Sequence, residues 1–178
     1  LYLQLVLGLS ALQVGLVFLA PNLLMAACSL GISAWLVNRF GLRKPLVGGL
    51  LCGAVGLVLF ARAPAAASIA VDVPAMLLLG VAGGIAFNPL LLAATADVDE
   101  GDAGLASGMV NTAFMMGGAL GLAILASVAA SATEAAASRG VAEPAALLAG
   151  YRLAFAAAAV VTFGGALLAG LLREPRPR

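Results

Sequence analysis

The chain has 178 residues, of which 63% are hydrophobic and only 10% are charged, and its mean hydropathy is +1.14. An ordinary soluble domain is roughly 45–50% apolar and about 25% charged, so these values exclude a water-soluble fold and leave room for roughly five or six membrane crossings. A net charge of +1 without a basic stripe argues against a nucleic-acid partner, and the lack of any histidine removes the commonest metal ligand and the usual general base.

The first segment, 1–8, opens with leucine and is too short to span a membrane, yet it continues directly into more apolar sequence. A signal peptide would show a basic region, an apolar core and a cleavage site before a polar mature chain, and that order is absent. We interpret 1–8 as the cut end of a helix, and we expect the chain to be a fragment.

Five longer apolar runs follow, each about as long as a helix that crosses a hydrocarbon core. They are 11–38, 45–62, 73–96, 104–131 and 149–172. Because each run is continuously apolar and does not alternate with a period of two residues, helices are favoured over a β-barrel. The predicted fold is an all-α polytopic bundle in which 1–178 is one transmembrane unit.

Two of the connectors end with a proline at the start of the next predicted helix. The first, 38–44, is tight and basic, and it places a glycine after one helix and Pro45 at the start of the next. The second runs from Arg62 to Pro74, so Asp72 falls outside the predicted span 73–96.

The remaining connectors differ in length and charge. The third, 97–102, is short and acidic. The fourth, roughly 132–148, is the longest and has room for a short amphipathic turn.

The orientation in the membrane follows from lysine and arginine alone. If 38–44 is cytoplasmic, alternation of the helices places six basic residues inside and three outside. The inside set is Arg39, Arg43, Lys44, Arg173, Arg176 and Arg178, and the outside set is Arg62, Arg139 and Arg152. This bias predicts a multi-pass protein of the cell membrane with a cytoplasmic C-terminus.

Two of the five predicted helices are almost free of polar residues. In 45–62 only Cys52 interrupts the apolar and glycine residues, and in 153–172 only Thr162 does. Both helices are therefore expected to face lipid on most sides. Cys28 and Cys52 lie in apolar runs, where free cysteine behaves as a small buried hydrophobe, so neither a disulfide nor a metal site is expected.

The other three predicted helices each carry one polar stripe. The stripes are Asn22, Ser29 and Ser33; Asn88 and Thr95; and Ser107 and Asn111 with Met115. Spacings of four and seven residues place the members of a stripe on one helix face. Polar groups are costly in hydrocarbon and normally face the bundle interior or a water-filled cavity, so we expect the three helices to line one shared cavity.

The alternative for these side chains is purely structural. Amides and hydroxyls also join neighbouring membrane helices, at about 0.6 kcal/mol for each interaction. Asn22, Asn88 and Asn111 favour the cavity, because an asparagine amide in mid-membrane has four hydrogen-bonding positions to satisfy.

Glycines and prolines are expected to shape the packing. The pairs with the spacing that lets helix backbones approach closely are Gly49/Gly53, Gly80/Gly84, Gly104/Gly108 and Gly117/Gly121. Gly117, Gly118 and Gly121 form the densest group and predict a close helix contact. Pro21 and Pro89 lie inside their runs and predict kinks.

The connector that follows the first run resembles a known motif. Ala34 to Lys44 is similar to the cytoplasmic loop motif of the major facilitator superfamily, usually written Gly-x-Leu-x-Asp-Arg-x-Gly-Arg-Arg. The loop positions that carry the resemblance are Asn38, Arg39, Gly41, Arg43 and Lys44. Asn38 replaces the family's aspartate and cannot form its ion pair, so any conformational latch is expected to be weaker.

A second resemblance lies in the fourth run. The segment from Asp102 to Gly108, continued by Asn111-Thr112 and by 117–121, resembles the penultimate helix of the fourteen-helix drug:proton antiporter branch of that superfamily. Phe114 and Met115 stand where arginine and glutamine are common in the branch. The preceding segment, 84–90, also matches the family's preceding helix.

The resemblance implies that the chain is the C-terminal six-helix bundle of a major facilitator fold, with its first helix truncated and with 45–62 and 149–172 on the outside. It implies a secondary exporter of drug-like small molecules that is coupled to proton entry and works by alternating access. Its partners would be membrane lipid, the small-molecule substrate and the missing N-terminal half of the same chain. That half is also expected to hold the coupling residues, because no ionisable group falls in a position to titrate within the predicted spans.

No cofactor is expected, and two other classes of function remain open. The first is a non-transporting membrane module that acts through helix–helix contacts with a partner. The second, an intramembrane enzyme, is disfavoured because no cluster of nucleophile, base and orienting group appears in the apolar runs.

The charge bias predicts that the connector 38–44 and the tail 173–178 share the cytoplasmic side. Single cysteines introduced at either place, with Cys28 and Cys52 replaced, are expected to resist an impermeant thiol reagent in intact cells and to react after permeabilisation. Labelling of either position from outside the cell would contradict this topology.

Overall fold

The computed structural model describes residues 10–62, 69–95 and 98–172. The predicted partial helix 1–8 and the tail 173–178 lie outside the described residues. Within the described part all regular structure is helical, and five helices are long and apolar enough to cross a membrane. The all-α expectation is confirmed.

The five spans follow one another along the chain with short connections. The first is made of α1 (Ala11–Ala27), a π-helical turn (Cys28–Ile32) and α2 (Ser33–Phe40). The others are α3 (Arg43–Ala61), α4 (Ile69–Thr95), α5 (Ala103–Ala137) and α6 (Glu143–Leu171), with a 3₁₀ turn at Glu100–Asp102 before α5.

The tight first connector is formed as predicted. α2 ends at Phe40, and Gly41 adopts a φ of 78°, a value that favours glycine because it has no Cβ. The Gly41 N–H bonds to the Val37 carbonyl over 2.9 Å, and α3 begins two residues later. Pro45 lies in the first turn of α3, where its missing N–H costs little.

The predicted start of the third span was wrong. α4 begins at Ile69 and not at 73, so Asp72 lies in its first turn and Pro74 lies inside the helix. A helix that enters hydrocarbon is extended by the need to satisfy its backbone polar groups. Pro74 therefore does not mark the start of the helix.

The expected long fourth connector was also wrong. α5 continues to Ala137, because residues 132–137 are rich in alanine, the strongest helix former, and α6 already starts at Glu143. Gly140, with a φ of 79°, ends the helix, and the Val141 N–H reaches back to the Ala136 carbonyl over 3.2 Å. Only a short turn joins the two spans.

α3 packs between α4 and α6, and its glycines allow this. A Cβ built on Gly49 would lie 2.8 Å from the Cβ of Ala86, and one on Gly53 would lie 3.3 Å from the Cβ of Ala82. The predicted Gly49/Gly53 pair therefore marks a real close contact between α3 and α4. Phe60, near the end of α3, stacks on Phe155 of α6 with ring centroids 5.0 Å apart.

The first span packs against α4 through another predicted pair, Gly80 and Gly84. A Cβ on Gly80 would collide with the Pro21 carbonyl, and one on Gly84 would lie 2.6 Å from the Cβ of Cys28. The Gly80/Gly84 pair is thus confirmed as a close contact.

α5 is the most open of the described spans. It packs mainly along α6, where Gly150 fits against Ala129 and Thr133 of α5, a contact that the sequence analysis did not anticipate. No residue of α5 is buried within the described part of the chain. Likewise, no heavy atom lies within 4 Å of a Cβ built at its five glycines, which are Gly104, Gly108, Gly117, Gly118 and Gly121. The close contact expected of them is not made with any residue that the structure describes.

The outer position expected for 45–62 is therefore wrong for this chain taken by itself. α3 is buried through small residues, which leave no polar signature, whereas α5 carries polar residues and is exposed. Polarity alone did not reveal which helix packs at the centre.

Adjacent glycines in α3 provide a matched test of the α3–α4 contact. Gly49→Ala is expected to destabilise the protein by about 1–3 kcal/mol, because the new methyl group overpacks the interface. Gly48→Ala, where a Cβ meets nothing within 4 Å, is expected to be neutral or to stabilise by about 0.5–1 kcal/mol. Unfolding in detergent micelles measures both, and equal effects of the two substitutions would refute the contact.

Candidate functional site

The first span and α4 bring three of the predicted polar residues together. The Asn88 amide of α4 donates to the Ser29 carbonyl over 2.8 Å and to the Ser29 hydroxyl oxygen over 3.1 Å. One turn along the first span, the fully buried Ser33 hydroxyl donates to the Ile85 carbonyl over 3.2 Å. Ser29, Ser33 and Asn88 therefore form one polar contact, which we call the Asn88 contact.

The π-helical turn explains which residues of the first span reach α4. The buried positions pass through Pro21 and Cys28 at ordinary helical spacing, and the next buried residue, Ser33, follows only after five positions. The Ser33 N–H bonds to the Cys28 carbonyl, which is the wider hydrogen bond of a π-turn. Asn22 lies one residue beyond this stripe and is exposed. A uniform helical period had placed it on the same face.

A cleft opens beside the Asn88 contact. It has a volume of about 290 Å³ and is lined by Ala34, Val37, Asn38, Asn88, Leu91 and Leu92. Small-molecule sites typically occupy roughly 300–1,000 Å³, with apolar walls and a few polar groups. The cleft lies just below this range, and two asparagines line it among aliphatic side chains.

The other predicted cavity residues lie elsewhere. Asn111 and Met115 are exposed on α5, and the Thr95 hydroxyl bonds to the Leu91 carbonyl of its own helix over 3.0 Å. Within the described chain, the three asparagines Asn22, Asn88 and Asn111 do not share one enclosed space. A common water-filled cavity stays a prediction that involves more than this chain.

A contact between two aromatic side chains joins α5 to α4. Phe87, next to Asn88, meets Phe114 edge to face, with ring centroids 5.7 Å apart. Aromatic pairs of this geometry contribute about 0.5–1.5 kcal/mol beyond their buried area. Phe114 is one of the two positions where polar residues are common in the drug:proton antiporter branch. In this chain an apolar aromatic contact is found at that position.

The loop-motif residues lie at the end of the same cleft. Asn38 and Arg39 occupy the last turn of α2 and are exposed, as are Arg43 and Lys44 in the first turn of α3. Asn38 also lines the cleft, so the loop and the Asn88 contact are neighbours. Pro89, which follows Asn88, is buried inside α4.

The family model of the Major Facilitator Superfamily matches residues 1–178, the whole chain. The chain belongs to the Major Facilitator Superfamily. It is accordingly a multi-pass membrane protein with part of that superfamily's fold.

Curated relatives from this superfamily match along most of the chain. The cephamycin export protein CmcT of Amycolatopsis lactamdurans is 34% identical over 95% of the chain and 34% of its own length. The puromycin resistance protein pur8 of Streptomyces alboniger is 36% identical over 98% of the chain and 36% of its own length. The drug efflux pump JefA of Mycobacterium tuberculosis is 32% identical over 69% of the chain and 24% of its own length.

The chain spans about a third of the length of the first two relatives. No solved structure matches the chain significantly.

The Asn88 contact predicts an order of effects on stability. Asn88→Leu removes both interhelical hydrogen bonds and is expected to cost about 1–2 kcal/mol. Ser29→Ala leaves the backbone acceptor in place and is expected to cost about 0.6 kcal/mol. Thr95→Val, whose hydroxyl bonds only within α4, serves as the control and is expected to be nearly neutral. Unfolding in micelles ranks the three, and an Asn88→Leu variant as stable as the control would contradict the contact.

Proposed function

We propose that the chain is the C-terminal half of a secondary active exporter of drug-like small molecules. The observation that carries this proposal is the superfamily match over 1–178 together with export or resistance proteins as relatives over nearly the whole chain. The superfamily is one of carriers, which leaves the enzyme alternative without support.

The cleft beside Asn88 suits one wall of a substrate path. The exposed Asn38 amide offers a donor and an acceptor to a polar part of a substrate, and Leu91 and Leu92 offer apolar surface to the rest. A site with few fixed polar groups and adaptable apolar walls discriminates weakly between ligands, as export of varied compounds requires.

Alternating access requires helices that change their relative positions. The first span has two features that make bending inexpensive: Pro21, which lacks a backbone N–H, and the π-turn, in which the hydrogen-bond pattern already deviates from that of an α-helix. We place the movable element in this span, between the tight contact at Gly80 and the loop at Gly41.

The orientation of the proposed exporter follows the basic residues. The first connector and the start of α5 lie at one end of the bundle, and the starts of α4 and α6 lie at the other, as alternating spans require. We assign the first end, with Arg39, Arg43 and Lys44, to the cytoplasm. The cleft at Asn88 then lies in the cytoplasmic half, where an exporter first meets its substrate.

The runner-up function, a membrane module that acts only through helix contacts, draws on the open surface of α5. Exposed apolar residues along this helix, such as Leu105, Met109 and Leu122, would suit another membrane helix. A helix of a larger transporter requires the same surface, so transport decides between the two proposals.

The exporter proposal predicts pH-driven flux by the full-length gene product. Inverted membrane vesicles that contain it are expected to accumulate a fluorescent drug when a pH gradient is imposed, and to release it when a protonophore is added. Residues 1–178 reconstituted alone are expected to give no such flux, because one half supplies only one wall of the path. A full-length product that is correctly inserted yet moves no drug under either condition would favour the non-transporting module.

A further inference from the structure

Asp72 is a buried acid that the sequence analysis had placed in a connector. The residue is 3% exposed, and neither carboxyl oxygen has a hydrogen-bond partner in the part of the chain that the structure describes. Among the described residues, these two oxygens are the only buried side-chain polar atoms without a partner. The other buried polar residue of that part of the chain, Ser33, is satisfied by a backbone carbonyl.

The surroundings of Asp72 are apolar. Ala75 and Met76 follow it at spacings of three and four, which places all three residues on one face of α4. On that face, Ala75 and Met76 pack in a core cluster with Phe60 of α3 and Leu148 of α6. Val17 of the first span packs against the same cluster, so the carboxyl group lies at the end of an apolar core to which four spans contribute.

Among the described residues at this end of the bundle, Glu134 of α5, Arg139 of the following turn and Glu143 in the first turn of α6 are exposed to solvent. Arg62 follows the last residue of α3 and is exposed. Tyr151 and Arg152 of α6 are half-buried and have contacts of their own, and neither is hydrogen-bonded to Asp72. At the corresponding end of α1, the uncharged Ser10 and Gln13 bond to each other.

Burial and position act on the carboxyl group in opposite directions. An ionised carboxylate that is buried without a partner costs several kcal/mol, so the arrangement with Asp72 enclosed suits the neutral acid. The partial positive charge at the start of α4 favours the anion and offsets part of this cost. Full ionisation requires water at the carboxyl group, and hence separation of the first turn of α4 from α3 and α6.

We propose that Asp72 is a proton-binding site whose occupancy is linked to the seating of the first turn of α4 against α3 and α6. A proton taken from water neutralises the carboxylate as this end closes, and it returns to water as the end opens. No other reactant is needed. The use of this step in transport rests on the proposed exporter function, under which Asp72 lies at the outer end of the bundle, where protons enter.

A metal cation is a poor match for the same position. Hard cations require about six oxygen ligands, whereas the buried residues of the core beside Asp72 are alanine, methionine, phenylalanine and leucine, and of the residues packed against them only Tyr151 has a side-chain oxygen. The described residues contain no group of three or more side chains of the metal-ligating kinds. A single proton removes the charge of one carboxyl group without further ligands, and it leaves only a neutral O–H and C=O to be hydrogen-bonded.

Infrared difference spectroscopy of the full-length protein in lipid vesicles tests the proton site directly. The carbonyl-stretch band of a protonated carboxylic acid is expected to persist at a pH where exposed acids are ionised, and to disappear at higher pH. Asp72→Asn is expected to abolish this band and Asp72→Glu to shift it. Asp99→Asn, which changes an exposed acid of the third connector, is expected to leave it unchanged.

Transport and stability measurements separate this inference from the exporter proposal. With a functional transporter, Asp72→Asn is expected to lose pH-driven accumulation while it binds drug and unfolds like the parent, because the amide resembles the neutral acid.

A band without any drug transport would overturn the exporter function and leave the proton site intact. A wild-type protein without the band, or an Asp72→Asn variant with unchanged pH dependence of transport, would overturn the proton site. If Asp72→Asn fails to fold, the proton site is tested by the carbonyl-stretch band of the wild type and by its shift in Asp72→Glu. A band at the same frequency in Asp72→Glu would refute the assignment to Asp72.

Discussion

The close approach of two helix backbones to α4 is the constraint on which the rest of this structure depends. In a bilayer, lipid chains are as apolar as the side chains, so helices associate through packing and polar contacts and gain little from the hydrophobic effect. Glycines supply the packing here: Gly49 of α3 meets α4 on one side, and Gly80 and Gly84 of α4 accept the first span on the other. α4 thereby joins the first span to α3.

The polar chemistry of the chain follows from this packing. Gly84 lets the first span lie against α4 at Cys28, and Ser29, the next residue, then lies within hydrogen-bonding distance of Asn88, one turn further along α4. The π-turn keeps Ser33 in the same interface by adding one residue to the spacing. The cleft at Asn38 opens just beyond this contact, so its shape depends on a contact made almost entirely by small residues.

The polar groups at the two ends of α4 differ in their hydrogen bonding. Towards the first connector, Asn88 donates to oxygens of the neighbouring span, and its amide is neutral at any physiological pH. At the opposite end, the carboxyl group of Asp72 is buried beside an apolar core and has no hydrogen-bond partner among the described residues. The hydrogen bonds of the amide do not depend on pH, whereas a carboxyl group that is either buried and neutral or hydrated and charged gives this end two arrangements. That contrast makes α4 a candidate for the element that joins proton binding to movement.

The sequence by itself determined the class of this protein: continuous apolar runs of membrane-spanning length specify helices, and the loop and glycine motifs indicated the superfamily. It also located the contacts at Gly49/Gly53 and Gly80/Gly84, because small residues four apart lie on one helix face. Only the tertiary structure decided which polar residues meet, since the π-turn changes the helical phase between Asn22 and Ser33 and no periodicity signals such a turn. The tertiary structure alone also placed Asp72 inside the bundle. Pro74 in the sequence suggests a later start of α4, and burial depends on neighbouring helices that a single segment does not encode.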